Sequence, residues 1–132
     1  MAKANAKVEA NYSATVEFCS KELSAKERVL IKDTTDAVKL DTATAQDAVI
    51  IDVDWFAVLN IHNEKSDTID YKNYILVDNN GVKYVTGSQA FYSSFKEIYD
   101  EMAGESEAWS IKAYQVPSKN FSGKNFLTCS II

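Results

Sequence analysis

From Val49 to Ile61 every odd-numbered residue is apolar (Val49, Ile51, Val53, Trp55, Ala57, Leu59, Ile61), while Ile50, Asp52, Asp54, Phe56, Val58, Asn60 and His62 are mixed. A period of two belongs to a strand, where successive side chains point to opposite faces. The run therefore predicts one long strand with its odd positions inward. With 132 residues, 46% of them apolar, the chain has material for one core and one domain.

The polar stretch Asn63 to Thr68 reads as a hairpin loop, and Ile69 to Val77 as a second strand. Asp78-Asn79-Asn80-Gly81 is a turn, because Asn and Gly tolerate positive φ, and Val82 to Val85 pairs back. Beyond Thr86-Gly87-Ser88, the apolar residues Phe91, Phe95, Ile98 and Met102 recur at spacings of four, three and four, a helical stripe ending near Gly104. Two last strands, Trp109 to Val116 and Lys124 to Ile132, flank a connector from Pro117 to Gly123.

Upstream, residues 1–7 lack apolar periodicity and are expected to fray. Tyr12, Ala14, Val16 and Phe18 alternate with polar residues in a half-buried strand ending near Cys19. Ser24-Ala25-Lys26-Glu27 matches a capping box and starts a short helix to about Lys32, followed by an irregular connection with a brief strand at Val38 to Leu40. The expectation is a mainly β protein with two helices. From Val49 onward the order strand-strand-strand-helix-strand-strand is that of an OB-fold, a five-stranded Greek-key barrel. Residues 48–132 would be the barrel and 8–47 a strand-helix elaboration.

Several chemistries lack their residues. One histidine, His62, and no C-x-x-C pair leave no zinc ligand set. Four glycines supply no phosphate loop, dinucleotide fingerprint or nucleophile elbow. Asp52 and Asp54 would share a strand face, as in a metal-dependent nuclease, but alternation alone explains them and no cleavage is expected. The reading is a non-enzymatic protein without cofactor or metal. Cys19 and Cys129 each lie in a strand-like run and are expected as buried thiols. The segment MAKANAKVEANYS has no apolar signal region, and no run approaches the ~18 apolar residues of a membrane span, so a soluble cytoplasmic protein with no membrane partner is expected.

Charge is unevenly placed. The net charge is -5, but the last 25 residues hold Lys112, Lys119 and Lys124 and no carboxylate, while the first 107 sum to -8. In the final hairpin, Trp109, Ile111, Ala113, Leu127, Cys129 and Ile131 form the inward register; Ser110, Lys112, Tyr114, Lys124, Phe126 and Thr128 form the outward one. Burial does not require lysines alternating with large aromatics. Single-stranded nucleic acid does use them: lysines neutralise phosphates, and rings stack on unpaired bases at about 1–3 kcal/mol per base. Phe121 in the connector is a further candidate. Elsewhere the candidates are Lys65 in the first loop, Lys72 and Tyr74 on the second strand, and Lys83 and Tyr84 on the next hairpin, although alternation leaves open which of Tyr71 and Tyr74 faces outward. An oligomer or partner interface would use the same exposed rings.

The stretch from ILVDNNGVKYVTGSQAFYSSFKEIYDEM through WSIKAYQVPSKNFSGKNFLTCSII resembles the short single-stranded DNA-binding proteins encoded by tailed phages of Gram-positive hosts. The shared features are a D-x-x-G-x-x-Y turn (Asp78, Gly81, Tyr84), a Ser-started amphipathic helix, and a closing hairpin with Gly123 and Phe126 in place. The resemblance covers about the last 60 residues. It implies an OB-like fold, DNA binding despite an acidic pI, and coating of displaced strands during phage DNA replication in the host cytoplasm, beside replication proteins. Bacterial relatives recruit partners through a flexible acidic tail, whereas this sequence closes on the apolar Cys129-Ser130-Ile131-Ile132.

Overall fold

The long alternating run is two strands, and they belong to different sheets. In the computed structural model, which describes residues 11–118 and 124–132, the elements are β1 (Tyr12–Cys19), α1 (Ala25–Lys32), β2 (Val38–Lys39), α2 (Leu40–Ala43), β3 (Val49–Ile51), β4 (Val53–Asn63), β5 (Asp70–Asp78), β6 (Lys83–Thr86), α3 (Gln89–Met102), β7 (Ile111–Pro117) and β8 (Asn125–Ile131). A five-stranded sheet has the order β1-β4-β5-β6-β2 and a three-stranded sheet the order β3-β7-β8.

Between Val53 and Trp55 the pairing of β4 with β5 slips, leaving Asp54 as a bulge residue. A slip of one exchanges the two faces of a strand. Val49, Ile51 and Val53 consequently look into the same core as the even-numbered Phe56 and Val58, and the odd-numbered Ala57, Leu59 and Ile61 turn to a second core. The expectation that odd positions point inward throughout is thus corrected: past Asp54 both parities are buried, because the larger sheet is covered on both faces.

The first core lies between the sheets and α3. Phe56, Val58, Tyr74 and Leu76 meet Ile51, Ile111, Ala113, Leu127 and Cys129, with Phe91 and Phe95 arriving from the helix. Each fully buried phenylalanine contributes about 1.5–3 kcal/mol of apolar transfer. The second core joins Ala57, Leu59, Ile61, Ile75, Val77 and Val85 to Ile31 of α1.

The fold is mainly β, but the expected barrel does not close. On its outer side β6 takes β2 in parallel, Val38 opposite Tyr84, and β8 remains at the rim of the smaller sheet beside α3, where Ser94 and Thr128 share a 3.3 Å hydroxyl contact. There are three helices among the described residues where two were expected. The brief strand stops at Lys39, and Leu40 begins the extra turn; the Thr44 N–H and hydroxyl both donate to the Leu40 carbonyl, at 2.9 and 2.6 Å. None of the helices in the described residues is long and apolar enough to cross a membrane.

Two local motifs form as the sequence indicates. The Glu27 N–H donates to Ser24 Oγ at 3.2 Å and the Ser24 N–H to Glu27 Oε1 at 2.9 Å, a complete capping box. In the turn after β5, Asp78 accepts from the Asn80 and Val82 N–H groups, both at 2.9 Å, and from the Tyr84 hydroxyl at 3.2 Å, while Gly81 supplies φ +84°.

Candidate functional site

The register of β7 on β8 sets Tyr114 opposite Thr128, Lys112 opposite Ser130 and Val116 opposite Phe126. Paired residues share a face, so the alternate set, Ile111, Ala113, Leu127 and Cys129, is buried in the first core. Trp109 is half-buried with its ring edge against Tyr99 at 6.2 Å. Ile131, expected inward, is 46% exposed, since it lies at the open end of β8 beside Ile98 and Met102.

On the outward face Lys112 is exposed, and its ammonium sits 5.2 Å from the Tyr114 ring centre. The Tyr114 and Ser130 hydroxyls share a 2.7 Å hydrogen bond, which orients a half-buried ring. Phe126 is 42% exposed, and Lys124 is exposed just before it. Strand β3 adds Ile50, 50% exposed, opposite Lys112. One end of the face is acidic, where Asp52 accepts from the Ser110 hydroxyl. Ile50, Val116 and Ser130 escape a sequence reading because only the pairing register reveals them as neighbours of Lys112 and Phe126.

The candidates on the larger sheet stand apart from this face and are engaged internally. Tyr74 is buried, 6% exposed, and stacks on Tyr92 at 4.3 Å and 10°, so it is corrected from stacking platform to core residue. Lys72 is ion-paired with Glu17 at 2.9 Å; the hydrogen bond between them holds the Glu17 carboxyl below its usual range and raises the lysine. Lys83 donates to the Leu30 carbonyl at 3.0 Å and to that of Asp33, and pairs with Asp36 at 3.2 Å, which ties the end of α1 to β6 instead of leaving a cation for phosphate. The half-buried Tyr84 has its hydroxyl on Asp78, and burial first, then this carboxylate, raises its pKa. Lys65 is exposed in the β4–β5 connection. Lys119 and Phe121 lie outside the described residues.

No family model, curated protein or solved structure matches the chain.

Asp52 and Asp54 are both exposed on either side of Val53, Asp54 at the bulge and Asp52 with the Ser110 hydroxyl as its donor. Among the described residues no three His, Cys, Asp or Glu side chains converge as a metal cluster would. Cys19 and Cys129 are both free, and Cys19 is only half-buried where a buried thiol was expected. Burial pushes the Cys129 thiol up to about 12. His62 has a carboxylate on each ring nitrogen, Asp70 at 2.7 Å from Nδ1 and Glu64 at 3.1 Å from Nε2, and these hydrogen bonds raise its pKa.

Proposed function

We propose that the outward face of the β7–β8 hairpin binds single-stranded DNA with little regard to sequence, coating displaced strands in phage DNA replication. The observation that carries this reading is the placement of the exposed Lys112, Lys124 and Phe126 and the half-buried Tyr114 on one face, opposite a buried register. The rings offer faces to unpaired bases and the lysines neutralise phosphates, with Lys119 and Phe121 continuing the same pattern in the connector. The chain order supports an opened OB-type barrel: the consecutive strands β3 and β4, one in each sheet, then the β5–β6 hairpin, α3, and the terminal hairpin. The reading is non-enzymatic and places the protein in the host cytoplasm beside replication proteins.

Titration with oligo(dT) at low salt tests it. Tyr114→Ala combined with Phe126→Ala weakens binding by about tenfold or more, on the scale of one to two stacked bases. A folded wild-type chain that ignores oligo(dT) at low salt ends the proposal. Gel-shift comparison of single-stranded DNA, duplex DNA and RNA of equal length then sets the preference.

A second reading, a protein-docking module, is favoured by the apolar Ile50 and Ile132, 50% and 58% exposed, on or beside the same face. On that reading oligo(dT) is not bound, and the same double variant changes the mass of the assembly.

A further inference from the structure

We propose that the groove between α3 and the end of β8 docks the terminal hairpin of a second copy of this chain. The groove has a volume of about 230 Å³ and is lined by Glu97, Ile98, Glu101, Met102 and Ile131. Its floor is apolar and its rim acidic. From Glu97 to Ala108 the chain has five carboxylates and no cation. Asp100 is held by Lys96 at 2.6 Å; among the described residues none of Glu97, Glu101, Glu105 and Glu107 is ion-paired. The last turn of α3 has no basic residue, so Glu101 adds to the partial negative charge at the helix C-terminus. A cation from another molecule relieves that repulsion.

The complementary surface is on the same chain. Phe126, 42% exposed, has Lys124 two residues before it and Lys112 further along the face, in the segment that carries +3. An apolar ring flanked by ammonium groups matches an apolar slot flanked by carboxylates. The contact cannot form within one molecule. Phe126 and Ile131 stand on one strand five residues apart, roughly 16 Å at ~3.3 Å per residue, and point to opposite faces. Docking is therefore between copies, with unlike surfaces meeting. In one respect the idea rests on the DNA-binding reading: the rim carboxylates then stand where phosphates would, and the slot where a base would.

Sedimentation equilibrium of the whole chain tests the docking. At low salt the mass rises with concentration above the 14.7 kDa monomer, and high salt returns it to that value. Glu97→Gln with Glu101→Gln, and separately Lys112→Gln with Lys124→Gln, each weaken association about tenfold or more. An equimolar mixture of the two variants forms one-to-one pairs, because each keeps the half that the other lacks. A wild-type chain that stays monomeric at low salt, a groove variant that associates as wild type does, or a mixture no heavier than its components overturns the proposal. The groove variant still binds oligo(dT) at least as tightly as wild type, so failed self-docking leaves the DNA reading standing. Failed oligo(dT) binding by a self-associating wild type leaves the docking standing.

Discussion

The rings of Tyr74 and Tyr92 stack with centroids 4.3 Å apart and planes within 10°, which fastens β5 to α3. Tyr74 is buried and Tyr92 half-buried. Tyr74→Ala is expected to lower unfolding free energy by about 3 kcal/mol through the cavity it leaves. Tyr92→Ala costs less. A double-mutant cycle followed by urea denaturation should give a coupling of about 1 kcal/mol for the stack; strictly additive losses would mean that the rings only share a core.

If the hairpin binds DNA as proposed, that binding carries a shallow salt dependence. Lys112, Lys119 and Lys124 are three cations; at about 0.7 counterions released per single-strand phosphate, log K against log salt has a slope near -2. Fluorescence titration with oligo(dT) across salt concentrations measures it, and Lys112→Gln flattens the slope by about 0.7. A slope unchanged by that substitution would remove Lys112 from the contact.

His62 links stability to pH. Its folded pKa is raised by Asp70 and Glu64, so the folded state binds the proton more tightly than the unfolded chain does. The stabilisation is complete below the unfolded value of about 6.5 and fades as pH rises through the folded value. Melting temperature should therefore decline on this account as pH rises above about 6.5, and His62→Gln should flatten that decline. The single imidazole makes an NMR titration unambiguous; a midpoint at or below 6.5 would contradict the paired geometry.

The two thiols differ in access. Cys129 is buried, with its pKa at about 12, and Cys19 is half-buried. In a thiol-exchange assay at pH 8 the folded protein should show one reacting group, Cys19, with the second appearing only on unfolding. Two fast groups would place β8 outside the core.

Local signals were the most legible. The Ser24–Glu27 box, the Asp78–Gly81 turn and the Phe91/Phe95 stripe each rest on contacts within a few residues, so their patterns survive intact from sequence to structure. Sheet closure was not legible. Whether β6 takes β2 or β8 depends on pairing across more than forty residues, which periodicity does not encode. The outward placement of Lys112 and Phe126 followed from alternation, because that sheet is buried on one face only. Tyr74 did not, because Tyr74 to Val77 is apolar without interruption in a strand covered on both sides.

The bulge at Asp54 sets the frame of the long run from Val49 to Asn63. Loops on either side can lengthen or shorten without altering what is inside, but one residue deleted here would turn either the Val49–Val53 segment or all of β4 over. Hydrophobic and wetted side chains would then trade places along half of the spine. A register device of this kind should make Asp54→Ala tolerable and its excision ruinous, so that what matters at this site is the presence of a residue more than its chemistry.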